Sequence, residues 1–256
     1  MASLSVVVIV KNEARNIGVC LRSVAFADEI VVLDSGSTDG TPRIARALGA
    51  SVTIDSDWQG FGVQKNRALA LATCDWVLSI DADERVTPEL QSAIRHALGA
   101  PAFDVYCFPR SSSYCGQFMR RSGWYPDYVT RLFRRGSARF SDDLVHEKVI
   151  TSERVGKLPP PLLHESFKSF EAVLDKTNRY STAGAQMLFD KGRNGSFGKA
   201  VGHGLWAFLR TYFLQLGMLD GRMGLVLAIS NAEGTYYRYL KLWLLQRNAS
   251  ESPPAK

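Results

Sequence analysis

Two carboxylates one residue apart, Asp81 and Asp83, close an apolar run over residues 76–80. The run has the length and composition of a strand, and in open α/β sheets ligands bind outside the carboxyl ends of the strands. Hard oxygen ligands at such a point suit Mg²⁺ or Mn²⁺, which keeps several waters and completes its shell with substrate phosphates. An acidic turn after a strand would carry the same residues, so the pair by itself decides little. The stretches upstream of it change the balance.

Those stretches alternate. Leu4–Val10 is a continuous β-branched apolar run, as a strand buried on both faces requires. Residues 16–24 place Ile17, Leu21 and Val24 near helical spacing, and a second strand over 30–33 ends in a turn dense in Gly, Ser and Asp. Thr41 is the expected cap of a helix whose first position is Pro42. A strand at Ser51–Ile54, a loop over 56–61 and a helix over 62–71 follow. Beyond the strand with the two carboxylates, a helix opens at Thr87-Pro88 and runs to Gly99. Strands alternating with helices predict βαβ units and a mostly parallel sheet. After residue 100 the pattern loosens to strands over 104–110 and 128–133 and a helix over 167–191. Two aromatic-rich helical stretches fill 197–246, split at residues 217–224, and the tail 249–256 is expected to be disordered.

At 256 residues with 46% hydrophobic and 22% charged side chains, the composition is that of a globular protein able to bury a sizeable core. Charge is uneven: residues 1–100 hold 9 basic and 12 acidic side chains, the remainder 22 and 13. A basic second half suggests an anionic partner. No helix-turn-helix, zinc-finger or RNA-binding signature is present, so nucleic acid is not the expected partner. Cys20, Cys74, Cys107 and Cys115 lack metal or Cys-x-x-Cys spacing and read as ordinary thiols of a reducing compartment.

Four strings in order, Val6-Val-Val-Ile-Val-Lys-Asn-Glu, Val31-Val-Leu-Asp-Ser-Gly-Ser-Thr-Asp-Gly-Thr, Gln64-Lys-Asn-Arg-Ala and Ser79-Ile-Asp-Ala-Asp-Glu, resemble the family 2 glycosyltransferases of GT-A fold. Arg131-Leu-Phe-Arg-Arg, Val145-His-Glu, His164-Glu-Ser-Phe and Leu216-Gly-Met-Leu-Asp-Gly-Arg-Met-Gly are similar to the bacterial lipopolysaccharide-core β-glucosyltransferase branch. The resemblance implies an α/β, Rossmann-like fold. It divides the chain into a catalytic domain over 1–165, with a nucleotide-sugar half over 1–100 and an acceptor half over 101–165. A helical, membrane-associating extension follows over 166–248.

The resemblance also implies an inverting hexosyl transfer from a UDP-sugar, UDP-glucose first, to a lipopolysaccharide-core or related cell-envelope glycan. Other lipid-linked or protein acceptors remain open. Such a donor needs its base recognised and its diphosphate neutralised. The expected donor contacts are Val10, Asn12, Glu13, Asp34, Lys65, Arg67, Asp81, Ala82 and Asp83. Asp34 would accept from the uracil N3–H or, alternatively, serve only its own turn. Lys65 and Arg67 would meet base or diphosphate, or face water. Asp83 would ligate Mn²⁺ or Mg²⁺, Asp81 would contact ribose or metal-bound water, and His164 would return to the metal from far along the chain. One carboxylate must act as base: Glu147 is the first choice, with Asp142, Asp143 and Asp127 as alternatives. Arg131, Arg134 and His146 are the expected acceptor contacts.

A nucleotidyltransferase would carry a Gly-rich loop where Lys11-Asn-Glu stands, and a dehalogenase-type phosphatase would carry its Asp-x-Asp after the first strand. Basic residues beside Leu205, Phe208, Leu209, Tyr212, Phe213 and Leu216 resemble an interfacial helix. The N-terminus lacks a basic leader. The expected location is therefore the cytoplasmic face of the inner membrane, peripherally attached.

Overall fold

The computed structural model describes residues 2–141 and 147–251. Its first hundred residues form β1 (Leu4–Val10), α1 (Ile17–Ser23), β2 (Glu29–Asp34), α2 (Thr41–Ala47), β3 (Ser51–Ile54), α3 (Phe61–Leu71), β4 (Trp76–Asp81), β5 (Glu84–Val86) and α4 (Pro88–Gly99). Next come β6 (Val105–Tyr114), β7 (Gln117–Phe118), β8 (Asp127–Arg134), β9 (Arg139–Phe140), β10 (Val149–Ile150), β11 (Val155–Lys157) and β12 (Leu162–Phe167). The rest is helical: α5 (Phe170–Asp190), α6 (Phe197–Leu209), a π-helical turn Arg210–Leu214, a 3₁₀ turn Gly217–Asp220 and α7 (Gly221–Glu251).

The main sheet runs β3-β2-β1-β4-β8-β6-β12-β5. Its first four strands are parallel, whereas β8 lies antiparallel to both β4 and β6. The inner parallel strands β1, β2 and β4 are mostly apolar because both their faces are covered, whereas the edge strand β3 is largely exposed. Val6, Val8, Leu78 and Ile80 point into a core shared with Ile17, Leu21, Leu90 and Ile94. The alternate residues Val7, Val31, Leu33 and Val77 pack on the other face with Ala68, Phe133 and Phe140. A strand's period of two therefore supplies two cores from one run, each buried Val or Leu contributing about 1.5–3 kcal/mol.

The chain divides into two compact units, Met1–Ser111 with Asp127–His164, and Ser112–Pro126 with Glu165–Lys256. A single division at 165 therefore needs refinement, since Ser112–Pro126 belongs with the helices. The reason lies in the string around Asp220. The backbone N–H groups of Arg120 and Arg121 and the hydroxyl of Ser122 all donate to its buried carboxylate, at 3.0–3.1 Å. Glycine is required there: a Cβ on Gly224 would stand 1.8 Å from the Gly217 carbonyl oxygen. The Gly217–Gly224 string thus anchors the 120–122 segment within the helical unit.

Local differences from the sequence reading have local causes. Helix α2 begins at Thr41, with Gly40 as cap, because the Thr41 hydroxyl is engaged by Asp39 and by the Glu13 N–H. Strands β5 and β12 lack the hydrophobic runs that announce a strand; they form because they pair with each other. Helix α7 continues through Glu251, beyond the 246 expected for the second helical stretch and into the tail expected to be disordered.

Candidate active site

The order β3-β2-β1-β4 places a switch point between β1 and β4, where the crossovers leave in opposite directions and open a crevice. Register sets the polar strand ends side by side there. Val10 pairs with Asp34, and Ile9 with Asp81. Ala82 is buried directly after that end.

Asp34 is fully buried. Its Oδ1 accepts from the N–H groups of Gly36 and Ser37 at 2.8 and 2.6 Å, while Oδ2 is buried without a partner. Gly36 holds a φ of +83°, which the turn requires and a side chain would strain. Asn12, also at positive φ, accepts from the Thr38 N–H at 2.8 Å and donates its own N–H to Ser37 Oγ. The Glu13 carboxylate accepts from Asn16 Nδ2 at 2.6 Å. Beside these strand ends lies a cavity of about 370 Å³, lined by Val10, Lys11, Ser35, Trp58 and Phe61 among others. Trp58 and Phe61 meet edge to face at 4.8 Å. Neither was expected at the site, because a loop aromatic carries no periodic signal.

Each member of the string Gln64-Lys-Asn-Arg has a separate task. Gln64 donates to Ser35 Oγ and to the Asp55 carbonyl, both at 3.1 Å. Lys65, only 3% exposed, bridges Asp81 Oδ1 at 2.9 Å and Glu147 Oε1 at 2.7 Å. Asn66 exchanges two hydrogen bonds with the backbone of Phe140. Arg67 pairs with Asp55 and Asp57 at 3.1 and 2.8 Å, clamping the loop that carries Trp58. Lys65 is thus no solvated surface charge, and Arg67 is committed to its loop.

Asp81 Oδ2 is 2.7 Å from Arg131 Nη2, which also lies 3.1 Å from Glu84 Oε1. Glu84, fully buried, accepts the Asp81 N–H at 2.9 Å. Burial disfavours the Asp81 carboxylate, but the charges of Arg131 and Lys65 outweigh it and hold the carboxyl well below the usual range. Burial dominates at Glu84 and raises its pKa, although Arg131 pulls the other way. Burial would likewise favour a neutral Arg131, yet Asp81 and Glu84 push its pKa upward. The thiol of Cys20, whose Sγ lies 3.6 Å from the Asp81 carbonyl, is pushed up to about 12 by burial. It is an inert core group.

His164 Nε2 stands 3.3 Å from Asp83 Oδ2, brought there because His164 pairs with Glu84 across β12 and β5. This carboxylate–imidazole pair is a donor set that fits Mn²⁺ and, less well, Mg²⁺. Among the described residues, no three His, Cys, Asp or Glu side chains converge as a closed cage. Asp81, with each oxygen paired to a cation, is better placed to organise the site than to ligate.

The expected acceptor contacts need correction. Arg131 is buried between Asp81 and Glu84, so it belongs to the carboxylate cluster and is not presented to an acceptor. Arg134 pairs with Trp76, at the opposite end of β4 from Asp81, roughly 16 Å away at a strand's rise per residue. There it meets Asp104 at 2.8 Å and covers the Trp76 ring. The antiparallel register turns Arg131 towards the Asp81 end of β4 and sets Arg134 at its Trp76 end. Asp127 is tied to Arg110 at 2.6 Å. Asp142, Asp143 and His146 lie outside the described residues.

A family model described as "Glycosyl transferase family 2" matches residues 5–151, which contain every one of these groups except His164. The chain is 32% identical to an uncharacterized glycosyltransferase of Rickettsia prowazekii, over 94% of this chain and 87% of that protein. It is 30% identical to the lipopolysaccharide core biosynthesis glycosyltransferase LpsC of Rhizobium meliloti, over 98% and 95%. The solved structure of S. aureus TarS 1-349 is similar in fold alone, with a TM-score of 0.50 and 15% identity across 96% of this chain and 92% of that one. With the family model covering more than half of it, the chain belongs to glycosyl transferase family 2.

Proposed function

We propose that the protein is a metal-dependent, inverting hexosyltransferase that moves glucose from UDP-glucose to a lipopolysaccharide-core or related cell-envelope glycan. The observation that carries this reading is the Lys65 bridge between Asp81 and Glu147, which sets a carboxylate beside the strand ends expected to hold the donor. The buried, unpartnered Asp34 Oδ2 supports uracil as the base, since its N3–H supplies the donor this oxygen lacks. Trp58 and Phe61 offer the base an aromatic wall. The similarity to LpsC supports a lipopolysaccharide acceptor.

In the proposed transfer, the acceptor oxygen attacks C1 of the sugar as Glu147 takes its proton. The C1–O bond to the diphosphate breaks, and UDP leaves with the electron pair. Lys65, 2.7 Å from Oε1, orients the Glu147 carboxyl group that takes this proton. Asp83 and His164 would hold the divalent ion, whose charge offsets that of the leaving diphosphate. The test is UDP release from a donor panel: UDP-glucose should be turned over faster than other UDP-hexoses and nucleotide-sugars with other bases. Preference for a GDP-sugar would overturn the uracil assignment.

We also infer peripheral attachment to the cytoplasmic face of a membrane. No single helix among the described residues is long and apolar enough to cross one. On α6 and the turns after it, Leu205, Leu209, Phe213 and Leu216 are exposed, as are Trp206, Leu214 and Leu219, whereas Phe208 and Tyr212 stack together half-buried. Exposed Lys199, Arg210 and Arg222 flank this surface, as contact with anionic headgroups favours. Leu214→Glu with Leu219→Glu should at least halve sedimentation with anionic vesicles at low salt. Full-length protein that never sediments with them would sink the idea.

A further inference from the structure

The helical unit holds a cavity of about 440 Å³, separate from the residues assigned to the donor. Its lining includes three cations, Lys176, Arg210 and Arg238, and no Asp or Glu. They come from three separate elements: α5, the π-helical turn and α7. Neither Arg210 nor Arg238 forms an ion pair with a carboxylate among the described residues. Arg210 and Arg238 bring like charges to one hollow, and an anion between them is attracted by both.

The surroundings hold these groups in place. Arg238 lies across α5 where the side chain is only hydrogen: a Cβ on Gly184 would stand 2.8 Å from its Nε. Lys176 sits over the rings of Phe167 and Tyr180, at 4.7 and 5.6 Å. Asn231 Nδ2 donates to Thr211 Oγ1 at 3.3 Å, so neutral donors and acceptors also line the space. A guanidinium presents a planar fork that matches phosphoryl oxygens, and two forks with an ammonium suit a dianion better than a single carboxylate. The volume falls within the range of small-molecule sites and exceeds what a bare phosphate needs. Trp124 and Tyr180 supply aromatic surface against which the C–H face of a sugar ring can rest.

We propose that this cavity binds the phosphoryl group of a phosphorylated saccharide. It rests on the glycosyl-transfer reading only in taking the saccharide to belong to the acceptor. The test uses the full chain at fixed ionic strength, titrated calorimetrically with inorganic phosphate, glucose 6-phosphate, glucose, and phosphatidylglycerol–phosphatidylcholine vesicles. Glucose 6-phosphate should bind more tightly than phosphate, and glucose should not bind. Arg210→Ala with Arg238→Ala should weaken the sugar phosphate at least ~10-fold, as loss of hydrogen bonds to a charged group does. Thr235→Glu, which adds a carboxylate to the lining, should do the same and serves if the double variant does not fold. Binding confined to vesicles but lost in Thr235→Glu would support a lipid headgroup as the source of the phosphoryl group. Absence of binding by all three phosphoryl probes, or binding that Thr235→Glu leaves unchanged, would overturn the proposal. UDP affinity should stay within twofold in these variants. Failure of the wild type to bind UDP would count against the donor reading and leave this site standing.

Discussion

Asp83→Ala is expected to lower kcat at least ~10²-fold, the scale on which removing one stabiliser of transition-state charge is felt. Chelation by EDTA should stop the wild-type enzyme altogether. Asp83 suits this test because its side chain is 32% exposed and its contact is with His164, so its removal leaves no deeply buried charge behind. Asp81 would be a poor choice. Its loss would take one of two carboxylate partners from each of the buried cations Lys65 and Arg131, and so would disturb folding as well as chemistry.

The sign of the pH effect agrees. Asp81 has a depressed folded pKa, so its contribution is fully present above its unfolded value near ~3.9 and is lost as pH falls below that. A neutral assay therefore keeps the cluster intact. The measurements are turnover, thermal midpoint and Mn²⁺ affinity by water-proton relaxation. Weakened Mn²⁺ binding with an unchanged midpoint, repeated more mildly in His164→Ala, is the expected pattern. Full activity in chelator would remove the metal from the reading, and Asp83→Ala activity within a few-fold of wild type would remove the ligand.

Glu147→Gln should lower kcat by roughly 10²–10⁴-fold while donor KM changes little, because the amide keeps the shape and loses the basicity. The Lys65 contact persists in weaker form, since an amide oxygen still accepts from the ammonium. A purely structural Glu147 would behave differently, losing thermal stability and donor affinity together with rate. If the loss of rate appears instead at Asp142 or Asp143, the base is reassigned and the single displacement survives. A product that keeps the donor's α configuration would remove the single displacement itself.

Several features were legible along the chain because their cause is local. The β-branched run Leu4–Val10, the strand closed by Asp81 and the turn after Asp34 declare themselves by period, length and turn chemistry. The string Gln64-Lys-Asn-Arg was visible as a pattern, yet its partners lie on stretches of chain as far apart as Ser35 and Glu147. Strand β12 was invisible because His164 and Glu165 interrupt its apolar residues, and pairing with β5 supplies what propensity does not.

By itself, the sequence determined the alternation of strands and helices over the first hundred residues, the polar groups at the strand ends, and hence an α/β enzyme with an acidic site. Only the tertiary structure decided which charges meet. Arg131 and Arg134 are alike in sequence, but antiparallel pairing of β8 with β4 sends Arg131 to Asp81 and Arg134 to the far end. Glu84 follows the Asp-x-Asp directly, and its role appears only once Arg131 and the Asp81 N–H close on it. Register, unlike periodicity, depends on residues dozens of positions apart, so no local window of the chain contains it.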